Sequence, residues 1–293
     1  MSAGEPVSRS LQLGTGLRYH VLEWGGDRPD LDHTVVLLHG FLDLAWSWEP
    51  TVRAGLAGRF HIVAPDLRGH GDTDWVGPGG TYHFLDYMAD VEEIVGALGR
   101  ARVSLVGHSM GGSVAAYYAG SRPERVHRLA LLEGLGPPES SESTPDKVRS
   151  WLDAWARLRA RPVRTYATVE EAAERLRARD PLLAPELALE LARRGTRAQP
   201  DGRLRFKHDP LHAIPAPTPF RTAVAAEFWS RVRCPVLLVD GAESPFRFMG
   251  EEAERRARFL PAPERAVIAG AGHMMQRHQP ATLADILLSF LSR

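Results

Sequence analysis

The chain has 293 residues, a formal net charge of zero and 44% hydrophobic residues. A chain of this length accommodates one large α/β domain with an insertion and buries a sizeable core. The balanced charge excludes a basic nucleic-acid surface and an acidic disordered chain, so the expected partner is a small-molecule substrate and not a nucleic acid.

The number of cysteines and the length of the apolar runs indicate in which cellular compartment the protein is expected. Cys234 is the one cysteine of the sequence, which excludes an internal disulfide. No run of about 18 apolar residues occurs, and the opening segment lacks the apolar stretch of a secretory signal. We therefore expect a cytoplasmic protein without a membrane partner.

Seven short apolar runs predict β-strands. Their continuous apolar character is typical of strands that are buried on both faces of a mostly parallel sheet. The segment before the first run predicts a hairpin with Gly14 and Gly16 at its turn, which adds an antiparallel edge strand. The predicted runs cover residues 17–24, 34–40, 61–66, 103–108, 126–133, 234–241 and 265–270. The predicted fold is α/β, an eight-stranded, mostly parallel sheet flanked by helices.

Helices are predicted between the strands and within a long insertion. Pro280 suits the first turn of the last predicted helix. After residue 133 the alternation of strands and helices stops, and an insertion of this length between strands six and seven predicts a helical lid. The predicted domains are an α/β core, residues 1–136 and 230–293, and a helical cap, residues 137–229. The predicted helices cover residues 83–98, 111–120, 146–160, 169–179, 185–194, 250–259 and 280–292.

The stretch GHSMG, residues 107–111, places Ser109 between a predicted strand and a predicted helix. A nucleophile elbow requires this context. Gly107 and Gly111 stand where a sharp turn brings backbones too close for a Cβ atom. The helix that follows offers free amides and a partial positive charge to a developing anion. Ser109 is therefore the predicted nucleophile, and the competing interpretation is a small turn that packs a helix against the sheet.

A serine nucleophile needs two donors for the oxyanion and a histidine base. The stretch LLHGFLD ends an earlier strand, so the backbone N–H groups of Phe41 and Met110 are the predicted donors. His39, in the same stretch, is expected only to hydrogen-bond nearby loops. Among the twelve histidines, His273 follows the last predicted strand and precedes the last helix. His273 is therefore the predicted general base.

Four motifs together resemble those of the α/β-hydrolase superfamily. HGF, PDLRGHGDT, GHSMGG and AGH occur here in the order and spacing of that family. The resemblance covers about residues 10–136 and 232–292, and the family inserts its cap where the lid is predicted. The resemblance implies a triad in the chain order serine, acid, histidine.

The acid of the triad departs from the family pattern. Most members carry it three or four residues after a glycine that ends the strand behind the lid, but Ser244 and Pro245 follow Gly241 at that spacing. Some members, such as certain haloalkane dehalogenases, carry it at the end of the strand after the nucleophile helix, where this chain has Glu133. The resemblance therefore implies Glu133 as the acid, with Glu243 as the alternative. A pocket-lining or capping carboxylate is the competing interpretation of Glu133.

Side chains near the predicted site favour an apolar pocket. Trp46 and Trp48 follow the oxyanion strand, and Met274 follows the predicted base. These three residues are therefore predicted to bind substrate.

The polar stretch PDLRGHGDTD, residues 65–74, predicts a structural loop. Its Asp66, Arg68 and His70 are expected to hydrogen-bond one another beneath the site. Ligands clustered at metal-binding spacing are missing from the sequence, so we predict no metal and no cofactor.

The predicted activity is that of a serine hydrolase that forms an acyl-enzyme. A carboxylic ester of a small apolar molecule is the expected substrate, followed by a thioester or a lactone. Hydrolysis of a carbon–carbon bond and cofactor-free, haloperoxidase-like perhydrolysis are the alternatives. A rival of another class is a non-catalytic small-molecule receptor or scaffold, which the missing acid at the usual position favours.

Overall fold

The computed structural model describes residues 4–28, 30–160, 162–246 and 250–293. In these ranges eight strands form one sheet and two form a separate pair. The strands are β1 (Val7–Gln12), β2 (Arg18–Trp24), β3 (Thr34–Leu38), β4 (His61–Pro65), β5 (Val103–His108), β6 (Val126–Leu132), β7 (Thr196–Ala198), β8 (Leu204–Phe206), β9 (Val236–Gly241) and β10 (Glu264–Ile268). The helices are α1 (Glu49–Thr51), α2 (Phe84–Ala97), α3 (Met110–Ser121), α4 (Thr144–Ala160), α5 (Val169–Arg177), α6 (Pro185–Gly195), α7 (Thr222–Trp229), α8 (Gly250–Ala257), α9 (Met275–His278) and α10 (Pro280–Leu291).

The large sheet has the strand order β1-β2-β4-β3-β5-β6-β9-β10. β2 runs antiparallel to β1 and β4, and the other neighbours are parallel. Gly14 and Gly16 lie in the turn between β1 and β2, and Pro280 lies in the first turn of α10. The predicted eight-stranded, mostly parallel sheet flanked by helices is confirmed.

Each face of the sheet carries its own apolar core, because alternate residues of a strand point to opposite faces. Val36 and Leu38 of β3 lie in one core with α2, α3 and α7. Val35 and Leu37 lie in the other core with α10 and the helical run over residues 45–56, which contains α1. The parallel strands are thus covered on both sides, and the residues after their carboxyl ends meet at one edge.

Residues 133–235 separate β6 from β9, the sixth and seventh strands of the large sheet. This insertion contains α4 to α7 and the antiparallel β7–β8 pair. The pair was not predicted, because strands of three residues carry too little alternation of apolar and polar side chains. α5 and α6 pack around Tyr166, Leu183 and Leu191, and this small core rests on Leu44 of the main domain.

The two ends of the insertion are fastened to the main domain. The buried Arg256 of α8 donates to the carbonyl oxygens of Leu135 and Pro137, each at 2.9 Å. At the other end, a Cβ atom on Gly120 of α3 would lie 2.1 Å from the Phe228 carbonyl oxygen, so α3 and α7 are in backbone contact. α7 therefore packs with the main core, although the predicted cap, residues 137–229, included it. None of the helices described here combines the length and hydropathy that crossing a bilayer requires.

Candidate active site

Ser109 occupies the turn between β5 and α3. Its backbone lies at φ 51° and ψ −117°, a conformation that costs a non-glycine residue about 1–3 kcal/mol. A Cβ atom on Gly107 would lie 2.5 Å from the Gly111 oxygen, and one on Gly111 would lie 2.4 Å from the Leu38 oxygen. Both positions therefore require glycine, as the motif predicted.

Two backbone amides lie beside Ser109. Met110 is the first residue of α3, where an amide has no partner within its own helix. The Phe41 amide follows β3 and has no acceptor in the described ranges of the chain. A Cβ atom on Gly40 would lie 3.3 Å from the Ser109 Cβ, so the loop after β3 packs against the serine. Both predicted oxyanion donors thus belong to segments that adjoin Ser109.

Two buried histidines hold the loop after β3. His39 Nδ1 lies 2.7 Å from the Gly40 carbonyl oxygen, and its Nε2 accepts a hydrogen bond of 2.8 Å from the Leu67 amide. His70 Nε2 accepts a hydrogen bond of 3.1 Å from the Leu42 amide. Burial holds the pKa of His70 well below its ordinary value, so its ring is neutral and accepts this bond. His39 therefore has the loop-holding contacts that the sequence analysis expected.

The contacts of the PDLRGHGDTD loop differ from those expected. Asp66 lies 2.7 Å from the His20 ring, and Arg68 pairs with the fully buried carboxylate of Asp90. The His70 ring lies 2.9 Å from the Arg68 backbone oxygen. The expectation that Asp66, Arg68 and His70 hydrogen-bond one another holds only for His70 and the Arg68 backbone oxygen. Asp66 and the Arg68 guanidinium pair with residues of other segments.

Glu133 follows β6 and hydrogen-bonds His273. Its Oε2 lies 2.6 Å from His273 Nδ1 and accepts a 2.8 Å bond from the Ser244 hydroxyl. Its Oε1 accepts a 3.0 Å bond from the Gly241 amide. Burial favours a raised pKa for Glu133, but the bonds from His273, Gly241 and Ser244 outweigh burial and hold the pKa below its ordinary value. Glu133 is therefore a carboxylate at neutral pH.

His273 follows β10, and its side chain is 21% exposed, against 7% for Glu133. Because Nδ1 faces a carboxylate, Nδ1 carries the proton and Nε2 is left as an acceptor. His108 Nε2 lies 2.8 Å from the His273 backbone oxygen. Burial, followed by the neighbouring His273, lowers the pKa of His108 to about 3, so His108 is neutral and donates this bond. His108 was not among the predicted site residues, although its place directly before Ser109 was a signal.

One cavity of about 1050 Å³ joins these groups. Five predicted residues line it together: Phe41, Ser109, Met110, Glu133 and His273. The rest of the wall is mostly apolar and combines α2, α3 and the segments on either side of the insertion. The aromatic and aliphatic members that were not predicted include Phe84, Leu85, Tyr117, Val224 and Phe246.

The three residues predicted to bind substrate lie away from this cavity. Trp48 is fully buried in the core beside β3 and β4. The Trp46 ring lies 3.9 Å below the Arg194 guanidinium carbon. Met274 is half-buried and does not line the cavity. The prediction for Trp46, Trp48 and Met274 is wrong, because the helical run 45–56 turns its tryptophans toward the core and the insertion.

Glu243, the alternative acid, is exposed. Its amide donates to the Ala271 carbonyl oxygen at 2.8 Å, and the residue does not line the cavity. The structure thus brings Glu133, and not Glu243, to the imidazole of His273.

Among the residues that the structure describes, one cluster offers three ligand atoms for a metal ion: His20, Asp66 and Asp72. The two His20 nitrogens lie 2.7 Å from Asp66 and 2.8 Å from the Ser8 hydroxyl, and Asp72 pairs with Lys207 at 2.7 Å. The cluster is thus held together by contacts within the protein. The absence of a metal and a cofactor stays a prediction.

Comparisons with known proteins agree with this fold. The family model of the alpha/beta hydrolase fold matches residues 33–277. A serine hydrolase-like protein of Danio rerio is 28% identical, over 92% of this chain and 83% of the relative. A hypothetical protein of Pseudomonas aeruginosa has a solved structure that is 32% identical, with a TM-score of 0.86, and the match covers 99% of this chain and 100% of that one. A thioesterase domain from the curacin biosynthetic pathway is 26% identical with a TM-score of 0.84, over 97% of this chain and 100% of that domain. The chain therefore belongs to the α/β-hydrolase fold family.

Proposed function

We propose that the protein is a serine hydrolase that cleaves a carboxylic ester or thioester through an acyl-enzyme on Ser109. The observation that carries this proposal is the 2.6 Å contact between Glu133 and His273 in the cavity that Ser109 lines. A strained serine, an oriented imidazole and free backbone amides are the groups that acyl transfer requires.

In the proposed reaction, His273 Nε2 takes the hydroxyl proton of Ser109 as the Ser109 oxygen attacks the carbonyl carbon. The amides of Phe41 and Met110 bind the oxyanion of the tetrahedral intermediate. The intermediate collapses, and the leaving alcohol or thiol takes the proton from His273. A water molecule then gives its proton to His273 and attacks the acyl carbon, which releases the acid and restores the serine.

Glu133 has an electrostatic role in this reaction. It fixes the tautomer with the proton on Nδ1, and its charge stabilises the imidazolium that forms in each step. The Gly241 amide and the Ser244 hydroxyl keep the carboxylate in place. Ser244 stands where most family members carry the acid. In this chain the acid comes instead from Glu133, after β6, and contacts Nδ1 of His273.

The cavity supports an apolar substrate of moderate size. About 1050 Å³ is at the upper end of the volumes that hold a drug-sized ligand. A thioester stands beside an ester in the proposal because 97% of the chain is similar to a thioesterase domain.

A fluorophosphonate probe tests the proposal against the rival receptor or scaffold. The probe forms a covalent adduct only with a nucleophile that has been activated. Intact mass spectrometry is expected to show one adduct on the folded protein, tryptic peptides to place it on Ser109, and Ser109→Ala to abolish it. Ser113→Ala is the matched control, since the Ser113 hydroxyl donates to the Gly134 carbonyl at 3.1 Å. A folded wild-type protein that remains unlabelled would overturn the proposal and favour the receptor.

A further inference from the structure

One face of three neighbouring strands forms the floor of the cavity. In the β6–β9 pair Leu131 lies opposite Leu238, and in the β9–β10 pair Asp240 lies opposite Val267. Because side chains alternate along a strand, Leu238 and Asp240 share this face of β9. Glu133, directly after β6, lines the same cavity. The residues of the floor are Leu131, Glu133, Leu238, Asp240, Arg265 and Val267.

Among the residues that the structure describes, Asp240 is the carboxylate of this floor without a hydrogen-bond or ion-pair partner. It is partly buried, and among the described residues no donor hydrogen-bonds its oxygens and no cation pairs with it. Burial, followed by the charge of Glu133, raises the pKa of Asp240 above its ordinary value. Two fully buried carboxylates elsewhere in the chain have cationic partners, because Asp43 pairs with Arg277 and Asp90 pairs with Arg68.

Two donors in the neighbourhood of Asp240 already hydrogen-bond other carboxylates. Arg265 binds both carboxylate oxygens of Glu254, at 2.7 and 2.9 Å. The Gly241 amide, next in the chain, donates to Glu133. A carboxylate without a donor loses its hydration as a ligand fills the cavity, unless the ligand supplies a hydrogen bond.

We propose that Asp240 is a specificity-determining residue that accepts a hydrogen bond from a hydroxyl or an amine on the substrate. This inference rests on the proposed function of Ser109 and adds the substrate class: an apolar ester or thioester that carries a hydrogen-bond donor. β6 lies between the strands that end near Ser109 and Asp240, so the two residues are about two strand spacings, or about 10 Å, apart. A six-carbon chain with a terminal donor fits this span.

Two series of esters test the inference with the full-length protein. The acyl series is p-nitrophenyl hexanoate, 6-hydroxyhexanoate and 6-aminohexanoate, followed by nitrophenolate release. The alcohol series is the hexanoate esters of hexanol, 1,6-hexanediol and 6-aminohexanol, followed by pH-stat titration. The wild-type protein is expected to hydrolyse a hydroxyl or amine ester of one series with a KM about tenfold below that of the plain ester, which is the effect of one hydrogen bond to a charged group. The series that shows the preference identifies the side of the scissile bond that carries the donor. The preferred ester within that series identifies the donor as a hydroxyl or an amine.

Asp240→Asn and the control Glu243→Gln separate specificity from stability. Asp240→Asn keeps the size of the side chain and one acceptor oxygen but removes the charge, so we expect it to raise the KM of the preferred ester about threefold and to leave the KM of the plain ester unchanged. Glu243→Gln removes a charge three residues away, outside the cavity, and is expected to leave the preference intact.

Equal KM values for the plain and donor esters in both series of the wild-type protein would overturn the inference, whether or not the variants fold. An equal change for all esters in Asp240→Asn would do the same. Failure of the proposed function is distinguishable, because Ser109 would then form no fluorophosphonate adduct.

Discussion

Replacement of Glu133 by glutamine tests the catalytic assignment most directly. The glutamine retains an oxygen that accepts bonds from the Gly241 amide and the Ser244 hydroxyl, which lie 3.0 and 2.8 Å from the present carboxylate. It also presents an NH₂ group toward His273 Nδ1. That donor favours the tautomer with the proton on Nε2, which cannot take the proton of Ser109.

The expected loss is large because tautomer and charge change together. Loss of the acid in a serine triad lowers kcat by about 10⁴, which corresponds to about 5.5 kcal/mol of the activation free energy. The measurement is the kcat for p-nitrophenyl butyrate at pH 7.5, with circular dichroism and thermal unfolding to show that the variant is folded. The matched control is Glu243→Gln, at an exposed position of the same region, and it is expected to retain the wild-type kcat.

A second variant tests whether a carboxylate supplied from another position of the chain can replace that of Glu133. Ser244→Asp in the Glu133→Gln background adds a carboxylate at the site whose hydroxyl now contacts Glu133. We expect it to recover at least about tenfold of the lost kcat. The reasoning is refuted if folded Glu133→Gln keeps more than a tenth of the wild-type kcat, or if Glu243→Gln loses as much.

Three further predictions concern stability. Gly111→Ala is expected to lower the free energy of unfolding by about 3 kcal/mol in urea titration, because its Cβ atom would lie 2.4 Å from a carbonyl oxygen; a loss below about 1 kcal/mol would contradict this. Asp90→Asn leaves the buried Arg68 without its main charged partner and is expected to lower the free energy of unfolding by about 3–5 kcal/mol. The matched control is Asp86→Asn, at a side chain that is 40% exposed beside the same guanidinium, and it is expected to lower the free energy of unfolding by less than about 1 kcal/mol. The lowered pKa of Glu133 means that its ionised form stabilises the fold above the ordinary value of 4.5 and that this contribution is lost as pH falls. The urea midpoint should therefore drop more between pH 7 and pH 3.5 in the wild type than in Glu133→Gln, and equal drops would disprove the linkage.

Local patterns predicted the elements whose causes are local. The order of strand, Ser109 and helix follows from an apolar run, two glycines and a helical segment. The glycines are required because a Cβ atom at either position would lie 2.4 or 2.5 Å from a backbone oxygen. The contact between Glu133 and His273 is different. The carboxyl ends of parallel strands meet at one edge, so both residues were expected near Ser109, but the family resemblance was needed to prefer Glu133.

Features that depend on tertiary packing could not be predicted from the sequence. Trp48 was assigned to the pocket because it stands close to Phe41 in the chain, yet the helical run 45–56 buries it in the core. The aromatic wall of the cavity joins residues as distant as Phe84 and Phe246, and no short pattern links them. Arg68 found its partner on α2 instead of in its own loop, since a buried guanidinium pairs with whichever carboxylate the packing brings to it.

The fastening of the insertion at both ends limits how substrate enters. Arg256 donates hydrogen bonds to the carbonyl oxygens of residues 135–137, and the backbone of α7 packs against Gly120. A segment anchored at both ends does not open by rigid-body rotation about a single hinge. The insertion also contacts the main domain between these two ends, through Leu44 and through the ion pair of Lys207 with Asp72. Changes at these contacts are expected to alter the entry and exit rates of a ligand while the chemistry at the serine is untouched.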